Sequence, residues 1–360
     1  MTSSLQDNFI KKESLYGAQN YSPLSVVLEK GEGAYLWDVD GNKYLDMVSA
    51  YSAVSHGHSH PDLIKTLHDQ SSKLAITSRA FYTEPFANFL EKLSNISDFE
   101  SVLTMNTGAE AVETAIKAAR RWGYFSKGIS EDDAEIIVAN GNFHGRTTTI
   151  VSFSSDSSYK DGFGPFTPGF ETAEYCGSCE CELIDNCLSI KSFEEKINEN
   201  TCAILVEPIQ GEAGIRVPSE GWLKELRELC TAKNILLILD EIQSGLGRTG
   251  KLFAYQHEDI IPDGLILGKA LGGALLPISA FLSSKDVMQH FKPGSHGSTF
   301  GGNPLASKVA AKAIDLLFEE KLIENSEKMG DYFLSKLKQI NSKAINCLLY
   351  TSDAADDLWC

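Results

Sequence analysis

Ile235-Leu236-Leu237-Ile238-Leu239-Asp240 and Gly264-Leu265-Ile266-Leu267-Gly268-Lys269 decide how this chain folds. Each is a continuous apolar run with a charge at or just past its end, the pattern of a strand buried on both faces of a parallel sheet. Working outward, Ile136–Ala139, Thr201–Glu207 and Ile278–Leu282 are further strand-like runs, and helical stretches alternate with them from Asp46 to about Pro304. That alternation predicts an α/β fold, a mostly parallel sheet covered by helices. One helix, beginning near Ala109, is amphipathic through Val112, Ile116 and Ala119. Upstream, Lys30 to Asp46 holds two short strand patterns around Asp40-Gly41-Asn42, a hairpin signal.

Open α/β sheets collect ligands at the carboxyl ends of their strands. An acid, Asp240, and an amine, Lys269, at two such ends suit pyridoxal 5'-phosphate. The lysine condenses with the aldehyde, and the aspartate keeps the ring nitrogen protonated so that the ring accepts electrons. Taken alone, the two residues are equally consistent with an ion pair between neighbouring strands. Asn106-Thr107-Gly108-Ala109-Glu110 leads into the amphipathic helix. Exposed amides at a helix start suit a phosphate, with Gly108 and Ala109 as donors; an ordinary Thr or Asn cap is the other reading.

Bulk properties limit the partners. The 360 residues suffice for a large core and suggest two domains. A formal charge of −17 and a pI near 4.9 speak against nucleic acid or an anionic membrane. No apolar run approaches a membrane span. The stretch from Met1 to Leu15 lacks an apolar core, and its Asp7 and Glu13 suit an organelle transit peptide poorly, so a cytoplasmic enzyme is expected.

Three features invite other chemistry. Cys176, Cys179, Cys181 and Cys187 crowd into twelve residues. Four thiolates can close a zinc tetrahedron, yet the spacing lacks two separated Cys-x-x-Cys knuckles, so reduced loop thiols and no metal are expected. His56, His58 and His60 in a Gly/Pro loop read as a turn or as packing rather than a metal site. Gly245-Leu246-Gly247-Arg248-Thr249-Gly250-Lys251 imitates a nucleotide-binding loop. However, Leu252 stands where a P-loop needs Ser or Thr, and Glu241 to Ser244 separate the glycines from the strand.

The run Ile238-Leu239-Asp240-Glu241-Ile242-Gln243-Ser244-Gly245-Leu246-Gly247-Arg248-Thr249-Gly250, followed by Leu267-Gly268-Lys269-Ala270-Leu271-Gly272-Gly273, resembles the class III pyridoxal-phosphate-dependent aminotransferases. Within them it is most similar to the branch that acts on ornithine, from about Tyr16 to about Leu337. The resemblance implies that Lys269 and Asp240 are catalytic, that Phe143 stacks on the pyridine ring, and that Gln243 bonds its phenolic oxygen. It implies that Ser298 and Thr299, in His296-Gly297-Ser298-Thr299-Phe300-Gly301-Gly302-Asn303-Pro304, reach the phosphate of a neighbouring subunit, making a homodimer with shared sites. Tyr51 and Tyr21 would approach the far end of L-ornithine, Arg146 would pair with its α-carboxylate, and Glu212 would mask an arginine until 2-oxoglutarate arrives. The activity implied is transfer of the δ-amino group of ornithine to 2-oxoglutarate, in proline and arginine metabolism. Acetylornithine and 4-aminobutyrate aminotransferases are the neighbouring alternatives; an inactive fragment or a nucleotide-binding protein is the alternative of another class.

By the same resemblance, residues 1–50 contribute to a small domain and the dimer, 51–304 form the large cofactor-binding domain, and 305–360 begin a small α+β domain. Helices are expected over Ala310 to Lys321 and Glu324 to Ile340. The resemblance fails beyond them: Cys347 to Cys360 reads like translated adapter sequence, and the family's C-terminal arginine has no counterpart. On that reading the small domain is truncated and the 360-residue chain is expected to be nearly inactive, its full-length parent carrying the activity.

Overall fold

The computed structural model describes residues 5–176 and 188–340. Near the start, β1 (Leu28–Glu32), β2 (Tyr35–Asp38) and β3 (Lys43–Leu45) form an antiparallel meander. The expected hairpin is β2–β3; β1 adds a third strand. The turn between β2 and β3 closes on the carboxylate of Asp38, which accepts from Asp40 N at 3.0 Å, Asn42 N at 2.8 Å and Tyr44 Oη at 2.8 Å.

The main sheet contains β4 (Ser101–Met105), β5 (Glu135–Ala139), β6 (Phe170–Ala173), β7 (Thr201–Val206), β8 (Leu236–Asp240), β9 (Gly264–Leu267) and β10 (Ser279–Ser283). Their order is β4-β10-β9-β8-β7-β5-β6. Every residue of β7, β8, β9 and β10 is buried, as their apolar runs require. From β6 through β5, β7 and β8 to β9 the pairing is parallel. β10 runs antiparallel to both β9 and β4, so β4 points the same way as the parallel set. Six strands, β4, β5, β6, β7, β8 and β9, therefore bring their carboxyl ends to one edge of the sheet.

Alternate residues face opposite cores. Ile137, Ile204, Leu237, Leu265 and Leu282 point to one side, covered by the helices Glu84–Ile96, Trp222–Lys233 and Pro304–Glu319. Ile136, Val138, Leu205, Ile238, Ile266 and Phe281 point to the other, covered by the helix Gly108–Trp122. The two C-terminal helices span Pro304–Glu319 and Leu322–Lys338. The first contributes Ala306, Ala310, Ile314 and Leu317 to the main core, although the domain scheme read from sequence assigns residues 305 onward to a separate unit. The adapter-like stretch Cys347–Cys360 lies outside the described residues.

Phe281 locks the strand that leads to Lys269. Its ring is fully buried and lies so close over Gly264 that a Cβ there would stand 2.7 Å from the ring. Removing the ring leaves a cavity that Gly264 cannot fill. Phe281→Ala should lower the unfolding free energy by about 3–5 kcal/mol in a denaturant titration. A loss under about 1 kcal/mol would show that the sheet does not rest on this contact.

Candidate active site

A cavity of about 200 Å³ opens at that shared edge. β4 leads to Gly108 and Ala109 in its wall, β5 to Phe143 and His144, β7 to Glu207 and Glu212, β8 to Asp240 and Gln243, and β9 to Lys269. Of the residues read from sequence as contacting the cofactor within one chain, all six (Gly108, Ala109, Phe143, Asp240, Gln243, Lys269) line this one space.

Asp240 is only 5% exposed. One carboxylate oxygen accepts from Ile242 N at 3.0 Å, and the other lies 2.7 Å from Nδ1 of fully buried His144. Burial works against a charged imidazole, but the Asp240 carboxylate outweighs it and raises the His144 pKa above the usual value. His144 Nδ1 thus donates, and its Nε2, also buried, has no partner among the described residues. Reading the sequence assigned no role to His144. The available signal was a histidine beside Phe143 in the loop leaving a buried strand. Lys269 follows Gly268 with φ of 43°, a left-handed conformation costly for a side chain with a Cβ.

At the helix start, the cap and the phosphate reading coexist. Thr107 Oγ1 accepts from Glu110 N at 3.2 Å, while Glu110 Oε2 accepts from the amides of Asn106 and Thr107, both at 2.8 Å. This capping box leaves the amides of Gly108 and Ala109 outside its bonds, in the cavity wall. Gly108 packs against Ile242, whose Cδ1 would stand 2.8 Å from a Cβ and would have to move aside for any side chain there. A buried acid for the ring nitrogen, an amine, an aromatic wall and free helix-start amides suit pyridoxal phosphate in charge and shape.

A second cavity, about 330 Å³, shares Ile209 and Gln243 with the first and is lined by Tyr51, Ser49 and Arg248. Tyr51 sits in a run, Ser49 to Ser52, with φ of 54°, 46°, 55° and 73°. Arg146 is exposed and stacks on Tyr159, its guanidinium carbon 4.5 Å from the ring centre. Tyr21 is 63% exposed and lines neither cavity of its own chain. Ser298 and Thr299 are likewise outside both; Ser298 Oγ accepts from Asn106 Nδ2 at 2.8 Å, and Thr299 is exposed.

The other sequence features have structural partners. His56 bonds Ala313 O, His58 bonds Asp46 and His60 bonds Glu320, so the three rings diverge. Gly250, at φ of 85°, lets the decoy loop pass against the helix Leu322–Lys338, where a Cβ would meet Glu327 Cβ at 2.8 Å. Cys176 is buried and its Sγ accepts from Ser219 N; Cys179, Cys181 and Cys187 lie outside the described residues.

Glu207 completes the electrostatics. It is buried, accepts from Phe143 N at 3.1 Å, and burial pushes its pKa up to about 8. The neutral acid is therefore the form that the fold favours. An unfolded glutamate ionises near 4.5, so stability present below that pH is lost progressively as pH rises towards 8. Glu207→Gln keeps an acceptor for Phe143 N and cannot ionise. Its melting temperature relative to the parent should climb between pH 5 and pH 8 and level off above, and a difference flat with pH would contradict this.

Comparison with known proteins agrees with the geometry. The aminotransferase class-III family profile matches residues 16–348. An ornithine aminotransferase of Brevibacillus brevis is 53% identical over 336 residues, covering 93% of this chain and 81% of its own. The crystal structure of ornithine aminotransferase from Toxoplasma gondii, with partial occupancy of pyridoxal phosphate at its active site, superposes with a TM-score of 0.88 at 44% identity, covering 93% of this chain and 77% of its own. Acetylornithine aminotransferase from Elizabethkingia anophelis gives a TM-score of 0.80 at 47% identity, covering 93% of this chain and 79% of its own. Fold, cavity and relatives agree that this chain belongs to the class III aminotransferases, whose cofactor is pyridoxal phosphate.

Proposed function

We propose that the protein transfers the δ-amino group of L-ornithine to 2-oxoglutarate, giving glutamate 5-semialdehyde and glutamate in arginine and proline metabolism. The observation that carries this reading is the single cavity where buried Asp240 and His144 meet Lys269, opening through Gln243 onto Tyr51. The ornithine aminotransferases among its relatives support the substrate.

When bound, pyridoxal phosphate supplies an aldehyde and an electron-accepting ring. Asp240, oriented by His144, holds a negative charge for the ring nitrogen. Gly108 and Ala109 offer amides to the phosphate, Phe143 a face for the ring, and Gln243 a bond to the ring oxygen. Lys269 Nζ acts as the base that moves a proton from Cδ of ornithine. Tyr51 and Tyr21 address the remote end of ornithine, Arg146 takes its α-carboxylate in a bidentate pair, and Glu212 governs the change to 2-oxoglutarate. The reading includes a cytoplasmic homodimer. Free thiols at Cys176, Cys202 and Cys230 suit a reducing compartment. Ile76 and Phe300, the latter next to Ser298 and Thr299 in the chain, are large exposed apolar residues lining one surface cavity, which suits a covering subunit. Such a subunit also brings Tyr21, Ser298 and Thr299 towards a cavity other than that of their own chain.

Asp240→Asn should retain the cofactor yet cut turnover by far more than tenfold, because the ring nitrogen loses its charged partner. A fall under about tenfold, or roughly 1.4 kcal/mol of barrier, would remove Asp240 from this role.

The likeness to an acetylornithine aminotransferase keeps one rival in view. Tyrosine hydroxyls that bond the polar end of free ornithine penalise analogues that leave them unpaired. The kcat/KM for L-ornithine should exceed that for N-acetylornithine and 4-aminobutyrate, with Tyr51→Ile eroding the preference through weaker ornithine binding. N-acetylornithine as the better donor would move the protein to the arginine-synthesis branch.

A further inference from the structure

Glu241 follows Asp240 directly, and successive residues of an extended strand face opposite sides. Asp240 lines the cofactor cavity; Glu241 lines neither cavity and is only 1% exposed. Its backbone still belongs to the sheet, because Glu241 N donates to Ile266 O at 2.9 Å. Its carboxylate spans the loop that follows: Oε2 accepts from Ala254 N at 2.6 Å and Oε1 from Tyr255 N at 2.8 Å. Burial pushes its pKa up to about 7 even with both amides bonded, so the fold keeps an acid here against the pull of solvation.

The far end of this strap is firm. Phe253 and Tyr255 are buried and stack 5.5 Å apart at 11°, and Tyr255 Oη donates to Asp98 Oδ2 at 3.0 Å. Gly245 lets the carboxylate pass, since a Cβ there would stand 3.2 Å from Glu241 Oε2. Between the two ends, residues 242–253 carry Gln243, which lines both cavities, and Ser244, Arg248 and Thr249 of the outer one. On the opposite side Gly211 packs on Gln243 so closely that a Cβ would overlap Gln243 Oε1.

We propose that Glu241 is a positioning residue for substrate binding: its carboxylate closes residues 242–253 into a fixed loop and holds Gln243, with the wall beside it, against the outer cavity. This rests on the reading that the outer cavity receives the remote end of the substrate. A loop tied only through its own chain ends samples many shapes. Two amides bonded to one carboxylate, each on its own oxygen, remove that freedom at the base of the loop.

The test attacks the wall from both sides. Glu241→Gln is close to isosteric but has one acceptor oxygen for two amides, and its NH2 faces an N–H. Gly211→Ala displaces Gln243 and leaves the strap whole. Both are compared with the unmutated protein, loaded with pyridoxal phosphate, for KM and kcat with L-ornithine and 2-oxoglutarate. Two readouts do not depend on turnover: calorimetric binding of L-2-aminopentanoate, which is ornithine without its δ-amine, and hydrogen exchange of residues 242–255. Glu241→Gln should raise the KM for L-ornithine and the Kd of L-2-aminopentanoate about tenfold, with kcat within about threefold. Exchange at Ala254 and Tyr255 should quicken at least about tenfold while the amides of β8 and β9 stay protected. Gly211→Ala should raise the same KM and Kd without quickening exchange at Ala254 and Tyr255. A normal KM and Kd in Glu241→Gln beside raised ones in Gly211→Ala would keep Gln243 in the wall and strip Glu241 of its role. If neither variant moves KM or Kd, the outer cavity does not receive the substrate, and the reading falls together with this proposal. A fall in kcat as large as the rise in KM would place the effect on the cofactor and overturn the proposal. Exchange in the unmutated protein tests the strap without any variant: Ala254 and Tyr255 should be as protected as β8, and exchange at the rate of an exposed turn would overturn it.

Discussion

A carboxylate buried at the end of a central strand is the constraint around which this structure is arranged. Ionised Asp240 in an apolar setting costs several kcal/mol unless it is paired and hydrogen-bonded. One oxygen is met by the Ile242 amide and the other by His144 Nδ1, and both partners belong to turns that must hold their shape. Glu207 stands in the same wall with one amide partner and no cation of its own, and burial drives it towards the neutral form. Asp240, Glu207 and Glu212 line one space, and His144 pairs with Asp240. Asp240 is thus the hydrogen-bonded carboxylate at the cavity floor that suits a cationic ring nitrogen. A second ionised acid would instead repel the first.

Strain is concentrated around the same cavities. Lys269 adopts a left-handed backbone conformation, and so do four successive residues from Ser49 to Ser52, none of them glycine. Each such residue costs on the order of 1 kcal/mol or more, and persists only where surrounding packing over-determines it. Lys269 is held between Gly268 and the buried turn Ala270–Gly272, so its amine is aimed into the cavity by residues that cannot shift. The Ser49–Ser52 run similarly sets Tyr51 in the outer wall. Strain of this kind is consistent with positions whose task is to place one side chain.

What was legible in the sequence depended on burial. β7, β8 and β9 read clearly because every residue is buried and the runs are unbroken. β4 and β6 did not stand out: they form the two edges of the sheet, are only partly buried, and include Ser101, Thr104, Glu171 and Thr172. β1, Leu28–Glu32, was missed for the same reason, with no buried position. Asp240 and Lys269 announced themselves by ending or closely following apolar runs. His144 did not, because its partner is 96 residues away and only the parallel stacking of β5, β7 and β8 brings them together.

In the proposed homodimer, the loop that carries Ser298 would let one helix serve two sites. Thr114 Oγ1 donates to Glu110 O at 2.7 Å, so its contact with His296 Nε2 at 2.8 Å requires the imidazole to donate. Lys117 Nζ lies 2.9 Å from Nδ1 and, as a donor, requires a lone pair there. These polarities specify a neutral ring protonated at Nε2, in keeping with burial and Lys117 lowering its pKa. Two residues on, Ser298 Oγ accepts from Asn106 Nδ2 and from Gly301 N, which fills both lone pairs and leaves its hydroxyl hydrogen to donate outward. A hydroxyl with its lone pairs filled offers only its hydrogen, which suits an anion. The helix whose first turn faces its own cavity thus also anchors, through Thr114 and Lys117, the hydroxyl that a second subunit would receive.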